Sequence, residues 1–182
     1  MSVIDEVLAA HQSYSASFRL GHLPMPPARK LAIVACMDAR LTIEPMLGLK
    51  TGEAHIIRNA GGIITEDAVR SLIISHELLG TQEFMIINHT DCGMLTFKDE
   101  ELAERLQQAT GAMPLVPVVF HAFDDVAANV RRQLQRLRSH PWVPKEIPVR
   151  GFIYDVKTGR LQEVAAAKTL RARAARTMLI RK

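Results

Sequence analysis

The two cysteines of this chain, Cys36 and Cys92, stand in segments that also carry a histidine and charged residues. His89 lies three residues before Cys92, so an imidazole nitrogen and a thiol sulfur can converge on one ion. Two thiolates and one imidazole suit Zn²⁺, and a catalytic zinc site takes three protein ligands and keeps a fourth position open. The pattern predicts a zinc site; the alternative is two buried cysteines and a hydrogen-bonded histidine.

Asp38 and Arg40 follow Cys36 closely in the chain. A carboxylate at a zinc site can be a ligand, a general base for bound water, or a group that orients the ligands. Arg40 would keep Asp38 ionised and fix its direction through a forked pair of hydrogen bonds. The competing interpretation is an ordinary surface ion pair. Asp91, between the histidine and the second cysteine, either orients a ligand or faces solvent.

Three glycines, Gly61, Gly62 and Gly93, lie beside these residues and are candidate substrate-pocket positions. Glycine permits close approach of the backbone to a cavity, although Gly61 and Gly62 equally suit the turn into the next helix. His55 is a candidate proton shuttle, with packing against a helix as the alternative. The histidines that the sequence leaves open as a fourth metal ligand are His55, His76 and His121.

Strands and helices alternate around these residues, which predicts an α/β fold with a parallel sheet. In such sheets functional groups gather at the carboxyl ends of the strands, and three predicted strands end in the candidate residues or the glycine pair. The predicted strands are 31–36, 54–60, 83–89 and 149–156, followed by a turn at 157–159 and a return strand at 160–164. The predicted helices are 3–20, 65–80 with Thr65 as its N-cap, 99–109, and 124–139, which is basic and amphipathic.

The chain has 182 residues with 48% hydrophobic and 23% charged residues, which is typical of one globular domain. It holds no apolar run of the ~20 residues that a membrane span needs, and its N-terminus lacks the features of a secretory signal. We therefore expect a cytoplasmic protein with no membrane partner. Six basic residues and no acid fall in the last fifteen positions, a tail that can contact nucleic acid or another anionic partner but is more typical of a solvated end.

The strings IVACMDAR, HIIRNAGG and HTDCGM, in this order and spacing, resemble the β-class carbonic anhydrase family, in particular its short bacterial and archaeal branch. The resemblance runs from about residue 3 to residue 164. It implies one domain over 1–164 with four parallel strands plus an antiparallel edge strand, flanked by helices, and a basic tail at 165–182. It also implies a homodimer, assembled further in some members up to a tetramer, in which the helix at 3–20 packs on the partner.

By the same resemblance, Cys36, His89 and Cys92 bind one Zn²⁺ per chain, and Asp38 with Arg40 is the catalytic dyad. The implied reaction is the reversible hydration of CO₂ to bicarbonate by a zinc-bound hydroxide. Some members have a closed form in which the aspartate itself ligates zinc. The glutamine with which plant-type members bind substrate has no recognisable equivalent in this sequence.

Two alternatives to CO₂ hydration remain open at the level of sequence. Relatives of the short branch hydrolyse carbonyl sulfide or carbon disulfide with the same zinc constellation, so this chain could do the same. A more remote alternative is a non-catalytic zinc protein that binds an anionic partner through its basic tail, although a structural site has no need of a charged dyad.

Overall fold

A computed structural model describes residues 2–113 and 118–165 of the chain. Its centre is a five-stranded sheet in the order β2-β1-β3-β4-β5. Neighbouring strands run parallel except for the last pair, β4 and β5, which is antiparallel. The predicted fold class, four parallel strands with an antiparallel edge strand, is confirmed. The strands are β1 (Leu31–Cys36), β2 (Ala54–Asn59), β3 (Glu83–His89), β4 (Val149–Tyr154) and β5 (Leu161–Val164).

Five α-helices accompany the sheet within the described residues, and none of them is both long and apolar enough to cross a bilayer. Thr65 caps the third helix as predicted, since its side chain accepts a hydrogen bond from the Ala68 N–H. The basic tail lies outside the described residues, apart from its first position. The helices are α1 (Val3–Ser17), α2 (Ile43–Leu47), α3 (Glu66–Glu77), α4 (Asp99–Thr110) and α5 (Val126–Ser139).

The predicted elements differ from the structure in several bounds and in one omitted helix. The third helix ends at Glu77 instead of residue 80, and β4 ends at Tyr154 instead of residue 156. The first helix ends at Ser17 instead of residue 20, because the Ser17 hydroxyl bonds back to the carbonyls of Ser13 and Tyr14 and the chain turns extended at Phe18. The short helix α2 was not predicted, since its five residues include Pro45 and show no helical periodicity.

Strand β1 lies in the middle of the apolar core. Its residues alternate between the two faces of the sheet, as the pleat requires. Ala32 and Val34 join a cluster with residues of α3 and α5, whereas Ile33 and Ala35 join a second cluster on the opposite face. All four are completely buried, which explains why this strand is a continuous apolar run in the sequence.

The strand order reverses between β1 and β3. From β1 the chain adds β2 on one side of the sheet, and from β3 it adds β4 on the other. At such a reversal the connections leave in opposite directions and a crevice opens at the carboxyl ends of the two central strands. Cys36 ends β1 and His89 ends β3, so both residues lie at this crevice.

Candidate metal centre

Cys36, His89 and Cys92 come together at the carboxyl ends of β1 and β3. One potential ligand atom from each, the two sulfurs and an imidazole nitrogen, lie within 4.8 Å of one another, and all three residues are buried. No other cluster of three such ligands is found in residues 2–113 and 118–165. The spacing suggested by the sequence therefore corresponds to a real convergence of side chains.

The tautomer of His89 follows from its hydrogen bond to the backbone. Its Nδ1 lies 2.8 Å from the carbonyl oxygen of Thr90, which can only accept, so Nδ1 carries the proton. The lone pair of Nε2 then faces the two sulfurs. Nε2 is fully buried and is the single buried side-chain nitrogen or oxygen in the described part of the chain without a hydrogen-bond partner. A buried, unpartnered lone pair beside two thiols fits a thiophilic cation such as Zn²⁺.

The two thiols do not ionise alike. A hydrogen bond from Cys92, opposed by burial and helped by His89, lowers the pKa of the Cys36 thiol to about 4. The hydrogen bond to Cys36, together with burial, raises the pKa of Cys92 well above its usual range. The opposite directions of the two shifts favour a single thiolate in this pair, and a bound cation would favour loss of the second proton.

Asp38 lies at the edge of this cluster and is bound by Arg40. Its Oδ1 accepts from the Arg40 Nε at 2.9 Å and its Oδ2 accepts from Nη2 at 2.7 Å. This fork holds the pKa of the Asp38 carboxyl well below its usual range. Oδ2 lies 3.8 Å from the His89 Nε2, so the ionised carboxylate faces the cluster.

Arg40 is held from a second side by Asp91. Its Nη1 donates to the Asp91 Oδ2 at 2.8 Å, and its Nη2 donates to the Asp91 carbonyl at 2.9 Å. Of the two interpretations left open for Asp91, the structure agrees with the exposed one, because the side chain is 68% exposed; its carboxylate bonds to Arg40 and to none of the three cluster residues.

Comparison with known proteins agrees with this geometry. The family model described as carbonic anhydrase matches residues 31–161. Beta-carbonic anhydrase 1 of Mycobacterium tuberculosis is 49% identical over 164 residues, covering 90% of this chain and 99% of that protein. The chain belongs to the β-carbonic anhydrase family. Members of this family are zinc lyases that catalyse CO₂ hydration, and the cluster of Cys36, His89 and Cys92 fits their zinc site.

Two further relatives place the chain within the β-carbonic anhydrases. The crystal structure of carbonic anhydrase from Streptococcus mutans superposes with a TM-score of 0.85 at 43% identity, covering 91% of this chain and 99% of that one. A carbon disulfide hydrolase of Acidithiobacillus thiooxidans is 34% identical, covering 87% of each chain. The carbon disulfide hydrolases are thus related to this chain as well, at lower identity.

A cavity of about 530 Å³ lies next to Cys36 and Cys92, and we call it the zinc-site cavity of this β-carbonic anhydrase. Gly61 and Gly93, two of the three predicted pocket glycines, line it, but Gly62 does not. A Cβ at Gly62 would lie 2.7 Å from the Asn88 side chain and 3.0 Å from the Cys36 backbone nitrogen. Gly62 is therefore needed for packing behind the cavity.

Arg58 and Gly61 hold the strand end that carries Cys36. The Arg58 guanidinium donates to the carbonyls of Cys36 and Asp38 at 3.0 and 2.6 Å, and the Gly61 N–H donates to the Cys36 sulfur at 3.3 Å. Sequence reasoning noted the segment 58–62 only for its glycines. The sequence feature that could have indicated this role of Arg58 is a lone arginine at the end of an apolar strand, next to those glycines.

His55 does not lie at the zinc-site cavity. It is the second residue of β2, four residues before the end of that strand and hence roughly 13 Å from it. Its Nδ1 contacts the Ser75 hydroxyl of α3 at 2.7 Å. The proton-shuttle candidate is therefore contradicted, and the alternative of packing against a helix is what the structure shows. His76, whose Nδ1 lies 2.7 Å from the Thr81 carbonyl, and His121 are likewise outside the ligand cluster.

Proposed function

We propose that this protein hydrates CO₂ reversibly to bicarbonate with one Zn²⁺ per chain, held by Cys36, His89 and Cys92. The observation that carries the proposal is the buried His89 Nε2, which has no partner among the described residues and faces two sulfurs. These three residues would hold the metal beside the zinc-site cavity, where Cys36 and Cys92 line the wall. Zinc bound there would lower the pKa of water to about 7 and so supply a nucleophile near neutral pH.

We assign to Asp38 the role of orienting the attacking oxygen. Its pKa is lowered by Arg40, so it is ionised at neutral pH and can only accept hydrogen bonds. An acceptor fixed beside the metal ligands selects the direction of the O–H bond and leaves an oxygen lone pair free for the carbon of CO₂. Arg40 binds the Asp38 carboxylate and is itself held in place by Asp91. We therefore propose the open form of the site, in which Asp38 is not a ligand.

The walls of the zinc-site cavity suit a small apolar substrate. Ala39, Ala60 and Met94 contribute apolar surface beside Gly61 and Gly93. CO₂ has no net dipole, so it gains from leaving water for such a surface, whereas charged bicarbonate does not. His55 lies too far from the cavity to accept the proton released in each turnover. We propose that buffer molecules accept this proton through the open cavity.

Stopped-flow CO₂ hydration by zinc-quantified protein at pH 7 and at about pH 8.5 tests this function. We expect fast hydration at both pH values with one zinc per chain. A steep gain at the higher pH would contradict the open form, because it indicates that Asp38 leaves the metal only when the solution is basic. Negligible hydration by fully zinc-loaded protein, together with sulfide release from carbonyl sulfide or carbon disulfide, would replace the proposal with the hydrolase alternative.

We also propose that the chain forms at least a homodimer through α1. This helix has no buried residue, and its apolar side chains Val3, Ile4, Val7 and Leu8 are 58–72% exposed. Such a stripe on a helix that has no buried residue supports burial against a second copy. The same apolar stripe is present on every copy, so two copies can bring their stripes together in a two-fold symmetric contact.

Light scattering on the full-length protein measures the mass of this assembly and separates a dimer from a tetramer. We expect the double variant Val7→Glu, Leu8→Glu to shift the mass to that of the monomer. The matched control, Gln12→Glu with Ser13→Glu, adds the same charge to the polar side of α1 and should keep the assembly. A variant that stays assembled would exclude α1 as the interface.

We further propose a cytoplasmic location. Both cysteines are free thiols, the state that a reducing compartment maintains and that the metal ligands require. Cell fractionation with an antibody against the full chain would test the location, and recovery in a secreted or membrane fraction would refute it.

A further inference from the structure

A second cavity, of about 280 Å³, lies between α5 and the segment that precedes this helix. It shares no lining residue with the zinc-site cavity. We call it the basic cavity because of the side chains on its wall. Its polar lining residues are His121, Asn129, Arg132, Gln133 and Arg136.

Arg132 and Arg136 give the basic cavity its charge, and most of their N–H groups are free within the described residues. The Arg132 side chain makes one hydrogen bond there, a long one of 3.4 Å from Nη2 to Asn129. The Arg136 side chain also makes one, of 2.6 Å from Nη2 to Glu66. Since a guanidinium carries five N–H donors, both side chains can still bind a ligand.

Gln133 adds a buried donor of fixed orientation. Its side-chain oxygen accepts from the Ile64 N–H at 2.9 Å, and its amide nitrogen donates to the Asn129 oxygen at 2.9 Å. These two bonds determine which end of the amide carries the hydrogens. The residue is only 7% exposed, and the second N–H of the nitrogen has no partner among the described residues. A buried N–H on a cavity wall favours an acceptor in that cavity.

His121 is held at the basic cavity by an unusual backbone conformation. Its φ is +64°, which is uncommon for a residue other than glycine. The carboxylate of Asp99 stabilises this conformation by accepting the backbone N–H groups of Phe120, His121 and Ala122 at 2.8–3.0 Å. The imidazole has no hydrogen-bond partner in the described part of the chain and carries an N–H in either protonation state.

The wall of the basic cavity is tied to the rest of the core by buried amides. Asn129 donates to the Asn88 side chain at 2.8 Å, and Asn88 donates to the Gly61 carbonyl at 2.9 Å. Asn88 and Asn129 are 1% and 2% exposed. This chain of hydrogen-bonded, buried amides keeps the wall in one arrangement, so a ligand would not have to order it.

We propose that the basic cavity binds a small oxyanion of the bicarbonate or phosphate class, at a site separate from the metal centre. Two guanidinium groups, the Gln133 amide and the His121 imidazole present N–H donors, and planar guanidinium groups match the oxygens of such anions. Within residues 2–113 and 118–165, the one carboxylate in contact with these cations is that of Glu66, which is 83% exposed and does not line the cavity. The balance of charge at the cavity therefore favours an anion.

Isothermal titration of the zinc-loaded, full-length protein with inorganic phosphate, at constant ionic strength, tests the site. We expect the double variant Arg132→Gln, Arg136→Gln to bind phosphate at least tenfold more weakly than the unmodified protein. The control, Arg105→Gln with Arg131→Gln, removes the same charge from exposed positions outside the cavity and should change the dissociation constant less than twofold. The basic tail is the same in all these proteins, so its contribution cancels.

A gain of affinity provides an independent check. Glu66→Gln removes the carboxylate that holds Arg136 and should tighten phosphate binding about two- to fivefold. Equal weakening in the double variant and its control, or no phosphate binding by the unmodified protein at millimolar concentration, would overturn the proposal.

Repeating the phosphate titration in excess bicarbonate, with chloride adjusted to keep the ionic strength, distinguishes the two anions. A higher apparent dissociation constant for phosphate, seen in the unmodified protein and lost in the double variant, would assign bicarbonate to the basic cavity as well. An unchanged constant would restrict the site to tetrahedral oxyanions.

Discussion

The zinc-site cavity and the basic cavity use the same residue type, arginine, in opposite ways. The Arg40 side chain makes four hydrogen bonds within its own chain, three to the carboxylates of Asp38 and Asp91 and one to the Asp91 backbone carbonyl. Arg132 makes a single long bond within the described residues. In the first cavity the unmatched groups are a nitrogen lone pair and two sulfurs, which fit a cation. In the second they are N–H donors, which fit an anion. The chemistry of a site thus follows from the groups left without partners.

The largest effect on this difference between the two cavities is expected from removing the His89 side chain, whose Nε2 lone pair has no partner among the described residues. We expect His89→Ala to lose zinc and CO₂ hydration together, because two of three ligands do not retain the metal. Phosphate binding at the basic cavity should persist. His55→Ala is the matched control: it removes a histidine from β2, away from the zinc-site cavity, and should keep both zinc and activity. Zinc content by atomic absorption and stopped-flow kinetics are the measurements. A His89→Ala protein that keeps its zinc would refute the ligand assignment.

A smaller effect is expected when Arg40 no longer holds Asp38. Arg40→Gln should lower kcat/KM about 10- to 100-fold with zinc retained, since groups that orient a metal site typically contribute this much. Asp91→Asn weakens the same arginine from its exposed side and should cost less than about fivefold, because exposed ion pairs contribute ~0–1 kcal/mol. Equal losses of activity in the two variants would contradict the smaller contribution expected from the exposed contact between Arg40 and Asp91.

Gly62 lies behind the zinc-site cavity, and its substitution should act on stability. A Cβ there would approach the Ile87 carbonyl to 2.9 Å, and the residue has a φ of +62°. We expect Gly62→Ala to lower the free energy of unfolding by about 2–4 kcal/mol, from overpacking and the left-handed conformation together. Gly93→Ala, which meets no atom within 4 Å, should change it by less than about 0.5 kcal/mol. Urea denaturation of both variants measures the difference.

The smallest effect concerns the carboxylate that supports the basic cavity. Partial burial tends to raise the pKa of Asp99, but three backbone N–H groups outweigh it, and the pKa lies below its usual value. A lowered pKa stabilises the fold above the unfolded-state pKa, about 3.9, and this contribution disappears as the pH falls through the folded-state pKa. Asp99→Asn should therefore cost ~1 kcal/mol at pH 7 and progressively less below pH 4.

Urea denaturation at several pH values measures this difference. Asp124→Asn, an exposed carboxylate without a described hydrogen bond, is the control and should show no such trend. A constant deficit of the Asp99 variant down to pH 3 would mean that the charge of this residue is not what stabilises the fold.

The parts of the structure that could be predicted from the sequence are those with local signals. Strands β1 and β3 appear as apolar runs because both faces are buried, and Thr65 marks a helix start through its own side chain. The convergence of Cys36 and His89 could be predicted because parallel strands bring their carboxyl ends together. Their roles as metal ligands remain a proposal until zinc is measured.

The remaining features depend on contacts between distant segments. Nothing local distinguishes the arginines that line the basic cavity from Arg131 on the same helix; only the fold places them beside Gln133 and His121. The two alternatives for His55, proton shuttle or packing against a helix, could be separated only by the fold, since the position of His55 along β2 decides its distance from the site. The hydrogen bonds from Arg58 to the Cys36 and Asp38 carbonyls likewise depend on the register of β2 against β1.

Helix α1 has a consequence for how the protein folds. Its N-terminus carries a capping box between Ser2 and Asp5, worth about 1 kcal/mol, but a 15-residue helix without packing is only marginally stable in water. In the proposed dimer, ordering this helix and association are therefore one event. Far-UV circular dichroism should lose helical signal on dilution, and the midpoint of thermal unfolding should rise with protein concentration. The heat resistance of this protein would then depend on how much of it is present.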